Sequence, residues 1–193
     1  EVVAVLACAF SGFAEAQRKD MDMVGVYVVA FVTAFGGGTL RDLLLDRRPL
    51  FWVEHEQYPI IILAMTLIAA PLMRLAKRII PDPAFVLADA IGLAFFSITG
   101  VALALEAGMS PFVASMMGVV TGVFGGVLRD VILNEVPMVL RDGRPYAIAA
   151  FLGCWLYVLM LKASAPPALA LWTAAGVTTG FRMLAWRFDW SIK

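Results

Sequence analysis

The chain has 193 residues, of which 62% are hydrophobic and 16% charged, against about one half and one quarter in a soluble domain. Its 15 basic and 15 acidic residues cancel, which excludes a strongly basic nucleic-acid binder and any partner attracted by overall charge. Cys8 and Cys154 sit in apolar runs with neither CxxC spacing nor a companion His, so no disulfide framework or metal centre is expected.

Apolar stretches of the ~20 residues that a helix needs to cross a bilayer recur seven times. They run over about 1–16, 22–46, 58–78, 85–106, 110–134, 145–163 and 167–187, each apolar all round as helices are and membrane strands are not. Glu1 leads directly into the first stretch with no Met and no signal-peptide pattern, as expected of a start trimmed inside or just before a helix. The separators carry charge and turn residues: Arg18 to Asp20, Arg47 to Pro49, Arg74 to Pro83, Gly108 to Pro111, Arg141 to Pro145, and Pro166-Pro167. Odd-numbered separators and the C-terminus hold Arg18, Lys19, Arg74, Lys77, Arg78, Arg141, Arg144, Arg187 and Lys193. The other side holds Arg47, Arg48 and Lys162, so the first side is expected in the cytoplasm, with the N-terminus outside and the C-terminus inside.

A shift of 88 residues brings 1–58 onto 89–146 without a gap. Gly12, Thr33, Gly37, Gly38, Leu40, Arg41, Asp42, Leu45 and Pro49 recur as Gly100, Thr121, Gly125, Gly126, Leu128, Arg129, Asp130, Leu133 and Pro137. Apolar composition does not place Gly-Gly, Arg-Asp and Pro in register twice, so the chain is read as a duplication. Each unit holds three spans, an odd number, and the second must therefore enter from the opposite face. The expected fold is an all-α integral membrane protein of seven transmembrane helices, an inverted 3+3 repeat plus one C-terminal helix. It forms a single membrane domain over 1–193, with repeat one at about 1–80, repeat two at about 84–163 and the seventh helix at about 167–187.

Spans two and five carry Gly36-Gly37-Gly38 and Gly125-Gly126, where weak helix propensity invites a kink or unwound turn. Freed backbone at that depth is tolerable only inside protein or beside water. Thr33, Gly37 and Arg41 share one face, repeated by Thr121, Gly125 and Arg129, and this face is expected to offer hydroxyl, bare backbone and guanidinium. The neighbouring face, Ala30, Ala34, Gly38 and Asp42, answered by Gly118, Gly122, Gly126 and Asp130, is a small-residue ladder expected to pack. Arginine and aspartate each cost about 2.5–3.5 kcal/mol at a membrane helix centre, so both Arg-Asp pairs require compensation. Pairing within a segment, lipid-phosphate contact and helix capping are all open to them. Asp89 aligns with Glu1 and reads equally as a helix-start carboxylate or a functional acid, while Ser97 and Thr99 either line a path or bond their own backbone. His55, the one histidine, falls in an outer loop. With no GxSxG, no HExxH and no paired catalytic carboxylates, an enzyme is not expected.

The runs Gly36 to Asp42, Gly125 to Asp130 and Asp89 to Gly92 together resemble the prokaryotic branch of the trimeric intracellular cation channels, over nearly the whole chain. The resemblance implies a homotrimer in a prokaryotic plasma (inner) membrane, each protomer conducting monovalent cations, chiefly potassium, through a pore framed by kinked helices two and five. It implies no cofactor beyond the permeant ion and bound lipid. Phe124 stands where the family pattern has a third glycine, and is a candidate plug or gate. The alternative is a secondary transporter of a small zwitterion such as an amino acid, because inverted repeats with paired broken helices also build alternating-access carriers.

Overall fold

The computed structural model describes residues 2–75, 80–141 and 145–190. Among them, the secondary structure is helical throughout: α1 (Val2–Arg18), α2 (Met23–Leu44), α3 (Phe51–Glu54), α4 (Gln57–Leu75), α5 (Asp82–Glu106), α6 (Pro111–Ile132), α7 (Met138–Arg141), α8 (Tyr146–Lys162) and α9 (Pro167–Arg187). Glu1, Lys77, Arg78, Arg144 and Lys193, which the sequence reading used for orientation or repeat matching, lie outside the described residues. So do the side chains of Arg74 and Arg141.

The 88-residue offset reappears in local structure. Asp22 caps α2 by accepting from the Gly25 amide at 2.7 Å, and Ser110 caps α6 from Val113 at 3.4 Å. The turns before them pass through left-handed Asp20 (φ 52°) and Gly108 (φ 79°), and both helices end before left-handed Asp46 and Asn134, residue types that tolerate that conformation. After each end, Arg47 bonds back to the Asp42 carbonyl and Glu135 to that of Asp130, both at 2.8 Å.

Three of these helices, α2, α5 and α6, are long and apolar enough to cross a bilayer, and Gln57–Ala69 and Tyr146–Lys162 are shorter apolar helices. Seven spans were expected from the sequence. At 17 residues, α1 and α8 rise only about 25 Å, and α9 carries Arg182 and Arg187 within its length. Large apolar side chains face outward on the helices, among them Val24, Ile68, Phe112, Leu152 and Trp172, the reverse of a water-soluble surface. Buried α5 lies at the centre, packed against α1, α6, α8 and α9, while α2 packs against α1 and α6.

Candidate functional site: the α2–α6 crossing and its two vestibules

Helical structure runs unbroken through Gly36–Gly38 and Gly125–Gly126, so the expected unwound turn is not formed. The glycines do something else. A Cβ on Gly37 would stand 2.0 Å from the Thr121 carbonyl oxygen, and one on Gly125 would stand 2.3 Å from that of Thr33. Two backbones therefore touch where only hydrogen fits, and because Thr33 meets Gly125 while Gly37 meets Thr121, the helices cross antiparallel. Inside a low-dielectric core an unwound turn would leave amides and carbonyls unpaired, which costs more than glycine's poor propensity. Leu128 fills the notch at Gly36, and Phe124 is half-buried on α6.

At the doubled glycines this exchanges the expected roles of the two faces. Gly37 and Gly125, read as bare backbone facing a path, form the tightest seam. Gly38 and Gly126, read as packing positions, have room: a Cβ there would meet nothing closer than 3.8 Å (the Arg41 guanidinium) and 3.6 Å (the Tyr146 hydroxyl). Gly118 and Gly122 do pack, against Cys154 and Ser97. The hydroxyls of Thr33 and Thr121 donate to the carbonyls of Val29 and Met117 and nest against Gly12 and Gly100. Thr99 bonds its own helix backbone, while buried Ser97 Oγ has no hydrogen-bond partner.

Both Arg-Asp pairs close within their own segment. Arg41 Nε donates to Asp42 Oδ1 at 2.9 Å, and Arg129 Nε to Asp130 Oδ1 at 2.8 Å. The second oxygen of each aspartate accepts the first amide of the short helix that follows, Phe51 of α3 and Met138 of α7, each at 2.8 Å. The residues before these amides, Leu50 and Pro137, offer no capping side chain, so the aspartate caps from a distance. The arginines thus pair and the aspartates cap.

Arg129 Nη1 also reaches Asp89 Oδ1 at 2.9 Å and Ser11 Oγ at 3.2 Å, bridging α6 to α5 and α1. Asp89 Oδ2 accepts the Tyr146 hydroxyl at 2.8 Å, and Arg182 of α9 lies 4.4 Å over the Tyr146 ring. Ser11, Tyr146 and Arg182 escaped the sequence reading as site residues. Arg182 did carry a signal, being an arginine within a span with no acid at helical spacing.

A polar cavity lies at each end of this arrangement. One, about 470 Å³, is lined by Glu15, Arg18, Lys19, Asp82, Phe85, Arg129, Asp130 and Glu135, with Trp186 at its side. The other, about 300 Å³, is lined by Arg41, Asp42, Arg47, Glu54 and His55, with Leu103. Phe85 and Leu103 lie 18 residues apart on α5, about 27 Å, close to the thickness of a hydrocarbon core. Across the first mouth Arg18 pairs with Asp82 at 2.7 Å and Lys19 pairs with Glu135. Phe85 is flanked by two guanidinium groups, those of Arg18 and Arg129, each 5.2 Å from its ring. Among the described residues no cluster of His, Cys, Asp and Glu could hold a metal ion.

A family model described as glycine transporter matches twice, over residues 1–74 and 86–162. The chain belongs to this family. The chain is similar to the UPF0126 inner membrane protein YadS of Escherichia coli K12, 40% identical over 79% of this chain and 73% of that protein. A UPF0126 membrane protein of Vibrio cholerae is 40% identical over 95% of this chain and 76% of its own length. The fold is that of the prokaryotic trimeric intracellular cation channels. A chain solved in work on conductance through TRIC cation channels superposes with a TM-score of 0.87 at 34% identity, covering 99% of this chain and 93% of that one. The TRIC orthologue from Rhodobacter sphaeroides gives 0.87 at 34% identity, covering 97% and 95%. The family is thus one of membrane proteins with a channel fold, and the twofold match of its model follows the 88-residue duplication.

Proposed function

We propose that the chain conducts small monovalent cations, chiefly potassium, through each protomer of a homotrimer. The observation that carries this reading is the pair of polar vestibules at opposite ends of α5, with the glycine crossing of α2 and α6 between them. Similarity to solved cation channels supports it. The two units enter the membrane from opposite faces as an inverted 3+3 repeat with α9 as the seventh span. The mouth that holds Arg18 and Lys19 faces the cytoplasm of a prokaryotic inner membrane.

In this arrangement the path is shut. Gly37 and Gly125 touch across the seam, and Arg129 holds Asp89 beneath the larger vestibule. Conduction requires α2 and α6 to part at the glycines, exposing backbone carbonyls and the Thr33 and Thr121 hydroxyls to hydrated ions. The Arg-Asp pairs at both ends keep each floor near neutral, so selection among monovalent cations by field strength is weak.

A second reading is favoured by two observations: the family model's description as a glycine transporter, and vestibules lined by groups of both signs, which suit a zwitterion as well as a cation. Under it the same crossing alternates access to a small amino acid. Planar-bilayer recording of the reconstituted protein in a potassium chloride gradient separates the two. Unitary currents reversing near the potassium equilibrium potential are expected. Saturable glycine uptake into vesicles without unitary currents would replace the channel by the carrier.

A further inference from the structure

Six charged side chains are buried among the described residues: Arg41, Asp42, Asp89, Arg129, Asp130 and Arg182. Arg41 and Asp42 neutralise each other, and so do Arg129 and Asp130. That leaves Asp89 and Arg182. Asp89 is satisfied by Arg129 and by the Tyr146 hydroxyl. Arg182 is 1% exposed, and its Nε and Nη1 have no hydrogen-bond partner. A buried guanidinium left so is costly unless a nearby negative charge offsets it, and its described contact is the face of Tyr146, whose hydroxyl points into Asp89.

We infer that Arg182 is the counter-charge of Asp89, acting through the Tyr146 ring, and thereby a positioning residue for Arg129. The phenol relays the interaction, since its ring faces the cation while its hydroxyl donates to the carboxylate. With Arg182 present the four groups Asp89, Arg129, Asp130 and Arg182 sum to zero. Without it, a net negative charge remains and Arg129 is held the more tightly across the floor of the larger vestibule. The seventh helix, which lies beyond both stretches matched by the family model, would so set how readily that floor opens. This last consequence rests on the conduction reading; the electrostatic coupling does not.

The test is a double-mutant cycle on the full-length chain in detergent, read as the thermal midpoint. Arg182→Met and Asp89→Asn are each expected to lower it by about 5 °C or more, because each strands a buried charge. Together they should lose markedly less than the sum. Tyr146→Phe, which keeps the ring and removes the hydroxyl, should abolish most of the coupling, and Arg182→Lys should restore the midpoint. Additive losses would overturn the inference, as would Arg182→Lys behaving like Arg182→Met. If Arg182→Met does not fold, the Lys variant alone decides. Bilayer recording then separates the two proposals. Coupling intact in a wild-type chain that passes no current sinks conduction and leaves the pairing; additive losses in a chain that conducts do the reverse.

Discussion

A hydrogen atom where a methyl group would be is the most demanding feature of this protein. At Gly37 and Gly125 a Cβ would fall 2.0 Å and 2.3 Å from a carbonyl oxygen of the facing helix, and backbone cannot rotate aside as a side chain can. Gly37→Ala and Gly125→Ala must push α2 and α6 apart and are each expected to lower stability by about 1–3 kcal/mol. Gly38→Ala and Gly126→Ala meet ordinary contacts only and should be neutral or raise stability by about 0.5–1 kcal/mol through helix propensity. Equilibrium unfolding of the four variants tests the contrast, and equal losses at all four would show that the seam is not where the helices are closest. The sequence pointed to these glycines and mistook their sense: periodicity separates the faces of a helix but does not say which one meets a neighbour.

Between the glycines and the ends of α2 and α6 the sequence was nearly sufficient, because capping is local. Asp22 accepts its own helix's third amide at 2.7 Å, and Ser110 does so at a longer 3.4 Å. Asp22→Ala is expected to cost about 1 kcal/mol and Ser110→Ala less, measurable as the difference in unfolding free energy between the two variants. The short helices α3 and α7 were not foreseen, since four residues are too few to show a period. Their starts depend on Asp42 and Asp130 reaching nine and eight residues along the chain, a relation that spacing alone does not announce. The ion pairs at the larger mouth belong to this level too. Arg18 and Asp82 keep side-chain exposures of 25% and 74%, so Asp82→Asn should change stability by less than about 1 kcal/mol. A larger loss would make this contact a structural tie.

The two units meet chiefly where α2 crosses α6 and where α1 lies against α5. If flux needs the crossing to open, fastening it should stop flux. Leu128 Cδ1 would lie 2.7 Å from a Cβ on Gly36, so oxidising the pair Gly36→Cys and Leu128→Cys is expected to suppress ion flux at least tenfold, with recovery on adding reductant. Full cross-linking with undiminished flux would remove helix separation from the mechanism. Cys8 and Cys154 are buried, which keeps them out of that chemistry.

Composition, periodicity and the 88-residue offset were enough to establish a helical membrane chain, its duplication and the two segments that matter, because these properties are written in the order of residues along each helix. Antiparallel contact of the two glycine seams, the unbroken helices through them and the surroundings of Arg129 came only with the assembled fold. They depend on groups from distant segments, Ser11, Asp89, Tyr146 and Arg182, arriving at one place. A helix carries its own periodicity, but the partner that makes a buried charge affordable is supplied by another part of the chain.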